Sequence, residues 1–202
     1  EFAMIESYEA YGDWTSIAEL TQQLIQGAAL ATSGSHVVTH HDGREVDLGG
    51  KWTEASLFDL ISDGVGQEVT ALTPRPELVK IAEKLGMKTD PKWITGKLAE
   101  EIFEHVCTDK LIGPIFVKGY PIDTSPLVRA HRETPGIAEK WDLYIDGFEL
   151  ATGYSELIDP VIQRERLMEQ AALGSKGDLE AMQIDEDFLR AMEYAMPPMG
   201  GM

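Results

Sequence analysis

Three features of the sequence predict a fold of the α+β class: runs in which apolar and polar residues alternate, longer runs with apolar residues at every third or fourth position, and a two-residue turn signal at Asp146 and Gly147. The 202 residues, 43% of them hydrophobic, suffice for one domain with a sizeable core and an inserted subdomain; two full domains would be cramped.

Residues 1–11 alternate, with Phe2, Met4, Glu6 and Tyr8 on one face and Ala3, Ile5 and Ser7 on the other, which predicts a strand. The pattern is already under way at Glu1, as if an element had been severed. A helical period follows in Ile17, Leu20, Leu24, Ile25 and Ala28, with cap candidates from Asp13 to Ser16 and a stop at Gly34. Residues 36–50 read as a hairpin turning at Asp42 and Gly43, and residues 53–62 as a short capped helix. Residues 65–112 differ in character: helical stretches over 76–85 and 95–111, separated by a loop at 88–91, suggest a helical insertion. Ile115, Phe116 and Val117 suit a buried strand, and the proline-bearing stretch 121–136 reads as an ordered loop. Asp159 and Pro160 are a cap and first-turn proline for a helix through Gln170, and Asp185 caps a last helix that Pro197 ends.

The stretch 141–156 carries the most information. A tight turn at Asp146 and Gly147 sets Ile145 opposite Phe148 and Tyr144 opposite Glu149. Opposed residues share a face, as do residues two apart, so Asp142 and Glu149 become diagonal neighbours whose carboxylates can converge. Such a pair suits Mg²⁺, which takes one or two carboxylates plus the phosphate oxygens of a nucleotide; it equally suits a solvated hairpin face. Glu6 between Phe2 and Tyr8 reads either as a carboxylate poised to hold an ammonium or as a half-buried strand residue reaching solvent. His36, His40 and His41 are scattered by the hairpin, with no cysteine to complete a metal set. Cys107 falls on a helical stripe with Leu98, Ile102, Phe103 and Val106 and reads as core.

Composition narrows the function classes. With 35 acidic against 17 basic residues, the formal charge is −18, so the chain by itself should not grip a phosphate backbone. The same acidity suits a cationic ligand or divalent metal, or simply solubility. No run approaches the roughly 18 to 20 apolar residues of a membrane span. The single cysteine rules out an internal disulfide and makes the cytoplasm the expected compartment.

Four strings, EFAMIESYEAYGDW (1–14), FVKGYPIDTSPLVR (116–129), WDLYIDGFELATGYSELIDP (141–160) and MEYAMPPMGGM (192–202), closely resemble the bacterial class II lysyl-tRNA synthetases, and the resemblance spans the chain. It implies an antiparallel sheet of six or seven strands flanked by helices, with residues 65–112 as the helical insertion. It implies a homodimeric, cytoplasmic ligase that joins lysine to ATP as lysyl adenylate and passes it to tRNA(Lys), with Mg²⁺ as cofactor. Carried over by motif position, Glu6, Tyr8, Thr152, Tyr154 and Glu156 would line the lysine pocket. Phe2, Asp142, Glu149 and Leu150 would contact ATP, Phe2 by stacking on adenine, and Asp142 and Glu149 would ligate the metal. Thr152 stands where many members have Asn, and Asp142 where many have Glu. Strict alternation from Glu149 places Thr152, Tyr154 and Glu156 on the opposite face, and a bulge near Gly153 is one way to return them. The resemblance also implies a partial catalytic domain, running from the second half of the family's second motif to just before its third. An isolated piece of that extent is expected to lack adenylation activity. A paralogue that lysylates a protein, and a non-catalytic lysine-binding module, are the competing readings.

Overall fold

The computed structural model describes residues 2–40, 42–174 and 182–202. Its elements run β1 (Tyr8–Ala10), α1 (Trp14–Ser33), β2 (Val37–Thr39), β3 (Glu45–Asp47), β4 (Thr53–Ser56), α2 (Leu57–Val65), α3 (Arg75–Lys84), α4 (Thr95–Cys107), β5 (Ile115–Lys118), β6 (Lys140–Ile145), β7 (Phe148–Ser155), α5 (Pro160–Gly174), α6 (Glu186–Glu193) and β8 (Met199–Gly201). Six strands form one sheet in the order β1-β8-β7-β6-β5-β4, and β2 with β3 forms a separate ribbon. Within the large sheet only β4 and β5 pair in parallel. This is the α+β class that the sequence patterns predict, with the mostly antiparallel sheet that the resemblance implies.

Local chemistry explains the boundaries. The Asp13 carboxylate accepts hydrogen bonds from the Thr15 and Ser16 amides, capping α1, and Gly34 ends it in the left-handed conformation at φ 69°. Asp146 and Gly147 both have positive φ, 56° and 74°, the signature of the tight hairpin turn whose twist matches its strands. Asp159 caps α5 through the Val161 and Ile162 amides, and Asp185 caps α6 through those of Asp187 and Phe188.

Two larger cores lie on opposite faces of the sheet, and a small third one, Leu167 with Leu189 and Met192, joins α5 to α6. Alternation along β5 and β6 sends Phe116, Trp141 and Leu143 toward α1, where Ile17, Ala18 and Ala29 meet Val46 and Leu48 of the ribbon. Val117 and Tyr144 face the other way, into a cluster with Leu57 and Ile61 of α2, Leu78 and Ile81 of α3, and Leu98, Ile102 and Phe103 of α4. Cys107 is buried in that second cluster, its thiol donating to the Leu60 carbonyl.

The structure corrects several expectations. The first strand does not run from residue 1 to 11; it is confined to Tyr8–Ala10, with Ser7 paired to Met202 through the backbone. Residues 53–62 are not one capped helix: Thr53–Ser56 is a strand alongside β5, and Ser56 caps the helix that follows. The helix after Asp159 runs past Gln170 to Gly174, and the last helix ends at Glu193, ahead of Pro197.

Candidate active site

The face of the sheet that carries the second core also carries the predicted site. In β6 and β7 the hairpin register is as expected near the turn, Ile145 opposite Phe148 and Tyr144 opposite Glu149. It then shifts: Leu143 lies opposite Ala151 and Asp142 opposite Thr152, leaving Leu150 as an extra, unpaired residue. This bulge reverses the parity of everything after it. Thr152, Tyr154 and Glu156 therefore return to the face of Asp142 and Glu149, correcting the strict alternation that put them on the other side. The bulge sits at Leu150, not near Gly153. Gly153 answers a different need: a Cβ there would lie 2.2 Å from the Trp141 indole, on the α1 side.

The register lines up three rows across this face. Tyr8, Gly201, Tyr154 and Lys140 form one, Thr152 and Asp142 a second, and Glu149 and Tyr144 a third. Gly201 lies between Tyr8 and Tyr154, and a Cβ on it would stand 2.4 Å from Glu156 Oε1 and 3.1 Å from the Tyr8 ring. The missing side chain leaves room in front of a carboxylate oxygen that is buried and has no hydrogen-bond partner. Burial raises the Glu156 pKa to about 7. Burial, then the charges of Glu156, Tyr8 and Glu6, push Tyr154 up to about 12, and Tyr8 is raised by burial and by Glu6 and Glu156. Tyr8 and Tyr154 thus feel the charges of Glu6 and Glu156. The arrangement disfavours further negative charge and would be relieved by a cation.

Asp142 is 3% exposed. One of its oxygens, Oδ2, accepts from Lys140 Nζ at 3.1 Å, while the buried Oδ1 has no partner. Glu149 is raised in pKa, first by burial and then by the charge of Asp142. A buried, unpartnered carboxylate oxygen beside a second carboxylate is a hard-oxygen donor set, and it fits Mg²⁺. Among the described residues no three or more His, Cys, Asp or Glu side chains converge as a metal cage. Two protein carboxylates with the remaining ligands from nucleotide and water is the form Mg²⁺ usually takes.

Other predicted positions stand apart. Phe2 is 85% exposed and lies outside β1. The Leu150 side chain lines a groove with Ile25, Val38, Val46 and Leu48 on the α1 side, so only its backbone is available to the carboxylate face. His40 lies 3.2 Å from the Asp42 carboxylate and 3.8 Å from that of Asp146, which Arg44 also holds, so these groups pin the ribbon to the β6–β7 turn. His41 lies outside the described residues. Sequence reasoning alone does not single out Gly201 and Lys140. Gly201 sits in a Met-Gly tail whose composition carries no period, and Lys140 precedes the segment in which the turn fixes the register.

Comparison with known proteins points to one family. The family described as tRNA synthetases class II (D, K and N) matches residues 1–202. A lysine–tRNA ligase of Kineococcus radiotolerans is 58% identical over 203 residues, covering 100% of this chain and 41% of that protein. One from Mycolicibacterium gilvum is 48% identical, covering 100% of this chain and 40% of that protein. A lysylphosphatidylglycerol biosynthesis bifunctional protein of Gordonia bronchialis is 45% identical, with 18% of its length covered. The chain thus spans about 41% of the length of the first of these relatives.

Proposed function

We propose, from the premise that this chain belongs to the class II tRNA synthetases (D, K and N), that the full-length protein is a lysine–tRNA ligase. It joins lysine and ATP into lysyl adenylate with release of pyrophosphate, then transfers the lysyl group to a terminal ribose hydroxyl of tRNA(Lys) with release of AMP. The observation that carries this reading is the unpartnered Glu156 oxygen facing the space that Gly201 leaves between Tyr8 and Tyr154. A carboxylate buried there favours a ligand that arrives with its own positive charge and N–H donors, as the lysine side chain does.

In this reading Glu156 and Glu6 hold the ammonium, Tyr8 and Tyr154 wall its methylene stem, and Thr152 adds a hydroxyl. Asp142 and Glu149 hold Mg²⁺, with Phe2 and the Leu150 backbone assigned to ATP. The metal, when bound, neutralises phosphate charge at the leaving pyrophosphate. The protein's own contribution is positioning: adenylate formation is attack by the lysine carboxylate on the α-phosphorus and needs no protein nucleophile. Specificity follows from leaving the buried Glu156 oxygen unsatisfied when a neutral or short side chain is offered, while the exposed Glu6 adds charge at the mouth of the pocket. Residues 65–112 serve as the helical insertion, and the full-length protein acts as a cytoplasmic homodimer.

ATP–pyrophosphate exchange by the full-length protein tests this. Lysine is expected to support exchange far better than aspartate or asparagine. Glu156→Gln should lower kcat/KM for lysine by about 100-fold or more, because a charge-assisted contact is lost inside a desolvated pocket. Gly201→Ala should raise the KM for lysine by filling the space before that carboxylate. Exchange driven best by another amino acid would overturn the assignment.

A further inference from the structure

We propose that Lys140 is a positioning residue of the metal site: its ammonium holds one oxygen of Asp142 so that only the other is offered to the metal, and its charge keeps divalent-cation binding dependent on the nucleotide. The inference rests on reading Asp142 and Glu149 as the metal carboxylates.

The geometry divides the Asp142 carboxylate in two. Lys140 Nζ sits 3.1 Å from Oδ2, whereas the buried Oδ1 makes no hydrogen bond of normal length; the Tyr120 hydroxyl, also buried and unpartnered, is near enough for the two groups to influence each other. Lys140 cannot readily swing away. Its Nζ lies 4.1 Å from the centroid of the Tyr120 ring, and Tyr120 is itself buried. Register adds a second constraint, because Lys140 opens β6 opposite Tyr154, two residues before Asp142 on the same face. The positive charge of Lys140 also reaches Glu149 and, from α4, Glu100, whose carboxylate accepts from the Thr124 hydroxyl at 2.6 Å. One tethered cation therefore stands among three carboxyl groups drawn from three different elements.

Two effects follow, and their sizes decide the sign. Holding Oδ2 orients the carboxylate, which favours the metal modestly by sparing it the cost of ordering that side chain. A fixed positive charge a few ångströms from a divalent cation repels it, and at that distance in a partly buried site the repulsion outweighs the benefit of orientation. Lys140 thus makes the bare carboxylates a weak metal site. Nucleotide phosphates bring the extra negative charge that overcomes the repulsion, so metal and nucleotide are taken up together.

The test is Mn²⁺ binding to the full-length protein without nucleotide, followed by the paramagnetic resonance signal of the free ion. Lys140→Met is expected to bind Mn²⁺ about tenfold or more tightly than the parent, since the repelling charge is gone. Lys140→Gln should repeat this with a shorter neutral side chain, and Lys140→Arg, which keeps the charge, should stay within about threefold of the parent. Damage to the fold lowers metal affinity, so a gain separates the charge effect from a structural one. Unchanged or weaker binding in both neutral variants overturns the inference, as does an equal gain in Lys140→Arg. Asp142→Asn serves as the control: it should weaken Mn²⁺ binding, and if it does not, the metal-site reading falls and the inference with it. If Asp142→Asn weakens binding while the neutral Lys140 variants do not tighten it, the role of Lys140 alone is refuted.

Discussion

At the scale of single residues, the site is defined by carboxylate oxygens that the fold buries without satisfying. Glu156 has its pKa raised from the ordinary 4.5 to about 7 because burial penalises the charged form. The form that binds an ammonium is the ionised one, so lysine affinity of the full-length protein should rise about tenfold between pH 6 and pH 8 and then level off. Titration by calorimetry at several pH values checks this, and Glu156→Gln should flatten the profile. The stability of the unliganded protein moves the opposite way. A folded-state pKa above the unfolded one contributes stability that is complete below the unfolded value of 4.5 and is lost as pH rises through about 7. Without lysine, Glu156→Gln should therefore melt higher than the parent at pH 8 and no higher at pH 4. A variant that binds lysine normally, or that melts lower than the parent at pH 8, would refute the role given to Glu156.

At the scale of elements, one unpaired residue decides whether the site exists. Leu150 is the extra residue in β7, and its side chain is about half exposed on the α1 side. Leu150→Ala should cost little stability, under about 1 kcal/mol, because little apolar area is lost. Deleting Leu150 should be severe, since a one-residue slip turns Thr152, Tyr154 and Glu156 from the site face to the α1 face and Gly153 away from the Trp141 indole it accommodates. Lysine binding should be abolished in the deletion and kept in the alanine variant, as read by calorimetry; a deletion that still binds lysine would show the bulge to be dispensable. This element also marks what is legible in the sequence. The turn at Asp146 and Gly147 is readable because positive φ at two successive positions is written in residue type. So is the pairing of Tyr144 with Glu149, which follows from it. The position of the bulge is not, because nothing in residue type at Leu150 distinguishes a paired from an unpaired position. The short extent of β1 and the strand at Thr53–Ser56 escape sequence reading for a related reason: both depend on which distant strand lies alongside, β8 and β5 respectively. Helices with local caps, such as α1 between Asp13 and Gly34, need no such partner to be read.

At the scale of the whole molecule, a single sheet separates two cores and displays the site on the side of the second. The charge of −18 means that, under the proposed function, tRNA contacts fall to cationic residues elsewhere in the full-length chain, while the site face of this chain is built to receive cations. Behind that face stands Phe103, 1% exposed, its ring edge-on to Tyr120 at 6.4 Å and to Tyr144 at 5.8 Å. Tyr120 in turn backs Lys140, and Tyr144 sits opposite Glu149, so α4 supports the strand positions of Asp142 and Glu149 through two aromatic rings. Phe103→Ala should cost about 3 to 5 kcal/mol, the usual range for emptying a buried aromatic site. The loss should not stay in one core. Phe116 and Val117 are adjacent in β5 but belong to different clusters, so neither face can unravel without withdrawing strand residues from the other. Urea unfolding of Phe103→Ala in a Trp93→Phe background, which removes the tryptophan packed against the second core, should therefore show one transition, coincident by the fluorescence of Trp14, Trp52 and Trp141 in the α1-side core and by circular dichroism from the helices on both sides. The apparent metal KM in the exchange reaction should rise in the same variant. Two separated transitions, or an unchanged metal KM at full loss of stability, would mean that the second core folds independently and that α4 has no part in holding the carboxylates.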